Sequence, residues 1–223
     1  MKILLLNREE NAGYANECYR NAIERFGGVV VECDYDNHYE DILGLLNSVD
    51  GVLFNKNQTE LVRYIASDSD TLYVIPDSVT SIKNYAFYYC DSLESVTIPE
   101  SVISIGESAF RSNSLLTTLT FEANSNLKTI GDSAFNSSAL TSLEIPNGVE
   151  TIGNSVFLNN AITSLLLPNS LKSIGEQAFF YNKLTSIEIP SSVQTIGERA
   201  FAWCKNLKSI TIPKTVTTIG ASA

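Results

Sequence analysis

Four cysteines (Cys18, Cys33, Cys90 and Cys204) and one histidine (His38) are the side chains of this 223-residue chain best equipped for chemistry. A thiol nucleophile needs a base within hydrogen-bond reach. A structural zinc needs clustered thiolates and imidazoles. No two of the cysteines form a Cys-x-x-Cys pair, and His38 stands beside acidic neighbours such as Asp36 and Glu40. Cys90 and Cys204 hold the same place in repeats far apart along the chain, so they are not expected to meet. Buried thiols are the simpler reading, because a free cysteine behaves mostly as a small apolar residue. No catalytic residue, metal site or cofactor is expected.

The elements that would position these residues are those of an ordered, globular chain. Apolar residues make up 44% and charged ones 18%, outside the range of disordered segments. The net charge is -10. Residues 1–66 carry 6 basic and 11 acidic side chains, and 67–223 carry 9 and 14, so each part stands at -5. No Lys/Arg run supplies the positive face that phosphate backbones require, which argues against nucleic acid. The apolar run after Lys2 is too short for a signal-peptide core. No 18-residue apolar run exists, so no membrane span is expected.

Residues 1–66 read as a βαβ pattern that stops early. Residues 3–6 form a short apolar strand. Ala15, Cys18, Tyr19, Ala22 and Phe26 then share one helical face, and Gly27-Gly28 closes it. Val29-Val30-Val31 reads as a second strand, 39–46 as a second helix, and Gly51-Val52-Leu53-Phe54 as a third strand. Strands alternating with helices predict a parallel sheet. Residues 52–54 and 61–65 also flank the polar turn Asn55-Lys56-Asn57-Gln58 with period-two alternation, the mark of a hairpin. The stretch 49–54 therefore suits two designs, and the sequence leaves both open. Tyr14, Ala22-Ile23, Gly27-Gly28, Leu45-Leu46 and Val49-Asp50-Gly51 resemble the start of class I glutamine-amidotransferase-like hydrolases of the gamma-glutamyl peptidase branch. That family's Gly-rich elbow with its nucleophilic cysteine, and its later histidine, have no counterpart here.

From residue 67 onward one short sentence repeats. All six prolines fall in register, and Glu122 takes the place between Pro99 and Pro146; the steps are 23, 23, 24, 22, 22 and 23 residues. A period of that length with L-x-x-L-x-L is the signature of a leucine-rich solenoid. Leu93-x-x-Val96-x-Ile98-Pro99 is one instance and Leu184-x-x-Ile187-x-Ile189-Pro190 another. Proline after the strand suits an element that must end. The second half of each repeat places Val102, Ile105, Ala109 and Phe110 at offsets that recur throughout. A glycine follows the Ile each time (Gly106, Gly131, Gly153, Gly175, Gly197, Gly220), predicting either a positive-φ turn or close packing. Three residues after each Phe stands Cys90, Asn113, Ser138, Asn160, Asn182 or Cys204, expected to tie the turn's backbone to the next coil.

The fold class is thus mainly β: a leucine-rich-repeat solenoid of about six to seven coils of 22–25 residues, with a small N-terminal α/β segment. The expected organisation is 1–50 α/β segment, 51–66 hairpin lead-in, and 67–223 solenoid. The last repeat stops at Ala223, one residue before the expected Phe, so the solenoid reads as truncated there. Ile212 and Ile219 would then lack a neighbour on one side, and self-association through this coil is one expectation. Residues 1–50 can equally be a native cap or a fused segment.

With Ile-Pro, Ser-Val, Ile-Gly and Ala-Phe at these offsets, residues from about 50 to 223 resemble the BspA-like (Treponema-type) leucine-rich repeats, lead-in included. The resemblance implies a bacterial, non-enzymatic protein-binding or adhesion scaffold, at the cell surface or secreted. Its implied partner is another protein, such as host extracellular matrix. The alternative is an accessory part of an amidotransferase-like hydrolase with a repeat appendage. On each strand, inward residues alternate with outward ones. The outward set two before the proline position is Thr97, Thr120, Glu144, Leu166, Glu188 and Thr211, flanked by a Ser/Thr column that includes Ser95 and Ser164. These six are the candidate partner-binding residues, with Trp203 added from the aromatic set Tyr88, Tyr89, Phe180, Tyr181 and Trp203 next to the turns. Those aromatics can anchor a partner or shield the side of the solenoid away from the strands.

Overall fold

A computed structural model describes residues 3–7, 32–34, 51–65 and 69–223. The repeat builds a β-solenoid of seven coils, and no helix is present among the described residues. Each coil contributes two short strands. The Ser-Ile dipeptide before the glycine forms one ladder: Ser81–Ile82 (β6), Ser104–Ile105 (β8), Thr129–Ile130 (β10), Thr151–Ile152 (β12), Ser173–Ile174 (β14), Thr195–Ile196 (β16) and Thr218–Ile219 (β18). Pairing is parallel and in register throughout, with Ile82 opposite Ile105 and Ile152 opposite Ile174. The hairpin joins this same sheet. Glu60–Ile65 (β4) pairs with β6 in parallel and with Gly51–Asn55 (β3) antiparallel.

The structure resolves the two designs open at 49–54, because β3 serves both. Ile3–Asn7 (β1) pairs with β3 in parallel, and Glu32–Asp34 (β2) pairs with β1 in parallel. One sheet of eleven strands therefore runs from β2 to β18. The second strand of the sequence reading, 29–31, and both helices lie outside the described residues, as do most of the residues that carry the amidotransferase resemblance.

The core follows from the repeat. Val96, Ile98, Val102, Ile105, Ala109 and Phe110, with most of their equivalents, are almost fully buried; Leu119, Phe121 and Leu167 are partly so. The phenylalanines stack into one column: successive ring centroids from Phe87 through Phe110, Phe135, Phe157 and Phe179 to Phe201 lie 4.5, 4.9, 5.4, 5.4 and 5.5 Å apart. Near-parallel coils force this geometry, since each coil repeats the last with a rise set by strand spacing. Tyr64 of the hairpin continues the column, 5.0 Å from Phe87. Its backbone N–H donates to Ala86 O, and Arg63 donates to the carbonyls of Tyr85 and Tyr88. The hairpin thus covers the first coil. Burial, then the facing Asp70 carboxylate, pushes the Tyr64 phenol well above its ordinary range. In the last coil Ile210, Ile212 and Ile219 are 39–52% exposed.

Of the two glycine readings, close packing holds. None of the six repeat glycines has positive φ; a Cβ on Gly197 would stand 2.5 Å from Glu176 N, in the backbone of the preceding coil. The left-handed conformation falls instead on non-glycine residues that flank each Ala-Phe. Ser108, Ser133 and Ser155 stand before it, and Ser112, Ser137 and Asn159 after it, with φ of 52–63°. Alternating handedness turns every second N–H along the stack. Ser108, Phe110 and Ser112 donate to the carbonyls of Asp132, Ala134 and Asn136 in the next coil.

Candidate partner-binding face

The strand before each proline position forms the second ladder: Leu72–Val74 (β5), Ser95–Ile98 (β7), Thr118–Phe121 (β9), Ser142–Glu144 (β11), Ser164–Leu166 (β13), Ser186–Glu188 (β15) and Ser209–Thr211 (β17). Inward residues such as Val96, Leu143 and Ile187 pack on the core, so the residues between them face out. Pairing places Thr97 opposite Thr120, Glu144 opposite Leu166, and Glu188 opposite Thr211. Thr97 is half-buried; the other five are exposed. Six of the seven candidate residues therefore stand in one column. Trp203 does not join them: it sits in the turn two residues after Phe201.

Two outward residues of this face were missed in the sequence, Val74 in the candidate column and Leu72 in the flanking one. Val74 pairs with Thr97, and Leu72 with Ser95, at the head of the ladder; they are 56% and 60% exposed. Leu72-Tyr73-Val74-Ile75 is a continuous apolar run, which carries no alternation to reveal which side faces out. Leu166, 59% exposed, is the third large apolar residue of the face. Carboxylates supply its charge, and neither outward column holds a lysine or arginine.

The ladder is interrupted between β9 and β11 and again between β13 and β15, which splits it into groups of three, two and two strands. Glu122 belongs to the coil beside the first break. Its N–H donates to Ile98 O, a bond proline could not make, and its carboxylate accepts from Glu100 N. Strand β9 ends at Phe121, opposite Ile98, and Asn124, in the coil that holds one extra residue, has φ of 62°. A cleft of about 520 Å³ opens there, bordered by Thr120, Phe121, Glu122, Glu144, Pro146 and Asn147. It brings two candidate residues, Thr120 and Glu144, beside a second carboxylate.

The residues three after each Phe are structural, but they reach back rather than forward. Asn182 Nδ2 donates to Phe157 O and Phe179 O, and its Oδ1 accepts from Ile162 N, all in its own or the preceding coil. Asn160 repeats this with Phe135 O and Leu140 N. Cys204 Sγ stands 3.3 Å from Phe179 O. Burial raises the Cys204 thiol above its ordinary value, partly offset by a backbone hydrogen bond from Asn182. A thiol so placed is a weak nucleophile. Among the described residues, no group of three His, Cys, Asp or Glu converges as metal ligands, and no helix is long and apolar enough to cross a membrane.

A parallel β-solenoid with a repeated Phe column, an Asn/Cys tie in each coil and a strand-bearing face defines a leucine-rich-repeat protein. The family model for the BspA type leucine rich repeat region matches residues 66–183 and 172–223 in six copies. The chain belongs to that family. A Treponema pallidum leucine-rich repeat protein is 28% identical over 76% of this chain and 82% of its own, with a TM-score of 0.67. A leucine rich cell surface protein from Faecalibacterium prausnitzii is also 28% identical, covering 72% of this chain and 52% of its own, at 0.54. The chain thus spans about half of that relative's length. A leucine-rich repeat protein from Bacteroides ovatus, 24% identical over 76% of this chain and 53% of its own, shares the fold at 0.56. No curated protein matches the chain.

Proposed function

We propose that this chain is a non-enzymatic adhesion scaffold of the bacterial surface, which holds another protein against the outward column of its strand face. The observation that carries the reading is the column itself. Strand pairing fixes Glu144 opposite Leu166 and Glu188 opposite Thr211, and Glu144, Leu166 and Glu188 break the Ser/Thr surface of the coils around them. Rigid spacing lowers the ordering cost of binding. Exposed Leu72, Val74 and Leu166 offer apolar anchors, and Glu122, Glu144 and Glu188 offer charge. The complementary partner surface is apolar with basic side chains, and host extracellular-matrix protein is the proposed class. The printed description of the Faecalibacterium relative as a cell surface protein supports the location.

The test is binding of the purified chain to immobilised matrix proteins, beside the variant Glu144→Ser/Leu166→Thr/Glu188→Thr. These side chains are exposed, so the variant should melt like the parent and bind at least about tenfold more weakly. Unaltered capture by the variant would remove the column from the binding site.

A further inference from the structure

Tyr181 and Trp203 occupy the same place in consecutive coils, two residues after the core phenylalanine, with φ of 58° and 61°. Three other coils hold Ser112, Ser137 and Asn159 there. Short polar residues suit a left-handed backbone, whereas a bulky ring there is a genuine outlier. The stack sets this φ in each coil, so Tyr181 and Trp203 are distinguished by the exposed ring they carry there. Tyr181 is 52% and Trp203 58% exposed. Tyr89 holds this place in the first coil, but its ring packs on Tyr88, centroids 6.1 Å apart.

Between Tyr181 and Trp203 lies a cleft of about 220 Å³, bordered also by Asn160, Lys183, Lys205 and Asn206. Lys205 Nζ stands 4.9 Å from the Trp203 ring centroid, a cation–π arrangement. Among the described residues neither Lys183 nor Lys205 is in an ion pair. Two unneutralised ammonium groups in a chain of net charge -10 make a local cationic spot.

We propose that this cleft binds an acidic saccharide, a sugar ring that carries a carboxylate. A volume of about 220 Å³ suits a single ring. The C–H face of a sugar ring lies against an indole or phenol. Its hydroxyls suit the exposed Asn206 amide, and its carboxylate suits the two ammonium groups. A neutral sugar would leave both charges unused. The site shares no residue with the strand-face column and takes a different ligand, so the two readings stand or fall separately.

Trp203 is the chain's single tryptophan, so its fluorescence reports the cleft directly. The probes are sialyllactose and a hyaluronan tetrasaccharide, with lactose as the neutral control. At least one acidic probe should change the emission saturably, at least about tenfold more tightly than lactose. The Lys183→Gln/Lys205→Gln variant should lose that advantage, and so should raising salt from about 0.05 to about 0.5 M. Trp203→Asn, followed by saturation-transfer NMR, should lose binding yet melt no lower than the parent, since asparagine suits the left-handed turn. Any one of four results would overturn the proposal: no saturable response to either acidic sugar, equal binding of lactose, equal binding of a hexaglutamate peptide, or full binding by Trp203→Asn.

Discussion

Phe157→Ala tests the Phe column at its centre. The side chain is fully buried, and its ring lies 5.4 Å from both Phe135 and Phe179, tilted by only 5° and 11°. Truncating a buried phenylalanine costs about 3–5 kcal/mol. The value here should fall near the upper end, because two stacked contacts vanish together, each worth about 0.5–1.5 kcal/mol beyond its area. Parallel coils held in register through β10, β12 and β14 leave little room for the neighbours to collapse into the hole. Stability of about 5–15 kcal/mol would lose a third or more. The assay is urea denaturation, followed by Trp203 fluorescence and by circular dichroism. With a slope of about 2–3 kcal/mol/M, the midpoint should fall by about 1.5–2.5 M. In a solenoid the loss falls on the interfaces between this coil and its two neighbours. Trp203, two coils further on, should therefore unfold at or before the bulk of the chain. Thr163→Ala, an exposed position bonded only to Thr141 O, should stay within about 0.5 kcal/mol of the parent. Equal midpoints for the two variants would refute the column.

Three further outcomes follow from the geometry. Gly197→Ala should lower the melting temperature by about 2–10 °C, because its Cβ meets the backbone at Glu176 N and overpacking costs about 1–3 kcal/mol; an unchanged value would contradict the close approach. Asn182→Ala strands Ile162 N–H and the Phe157 carbonyl, at about 1–3 kcal/mol for each group left unpaired, while Phe179 O keeps Cys204 Sγ. Asn182→Cys should cost less, because Cys204 already bonds a preceding-coil carbonyl from the same place, and the opposite order would refute the tie. Cys204, buried with its thiol pKa raised, should resist a thiol reagent near pH 8 in the folded protein and react in urea, as read by peptide mapping; fast native labelling would contradict its burial.

Much of this fold is legible in the residues because each requirement is written many times. Pro99, Gly106, Ala109 and Phe110 mean little alone, but the recurring offsets identify strand end, close approach and core column together. What the repeat hides is what depends on neighbours. The left-handed turns fall on Ser108, Ser112, Gln177 and Arg199, ordinary residues whose φ is imposed by the stack. The frequency of serine and asparagine at those offsets was the available signal. The bond from Glu122 N–H to Ile98 O, possible because this coil has no proline there, is visible only once Ile98 is placed opposite. The face itself was readable from alternation, except at Leu72 and Val74, where the alternation disappears into an apolar run. Trp203 was singled out for failing to repeat, which remains its distinction, but the coil sets it in a turn with Tyr181 and Lys205 instead of on the strand face.

The central claim, that the strand face holds the partner, is tested most directly by site-specific photocrosslinking to a captured matrix protein. A photoreactive residue is placed in turn at Thr120 and Leu166 on the column and at Asn159 in a turn. The account predicts crosslinks from Thr120 and Leu166 and none from Asn159. Crosslinks from Asn159 alone, or from none of the three positions, would contradict it.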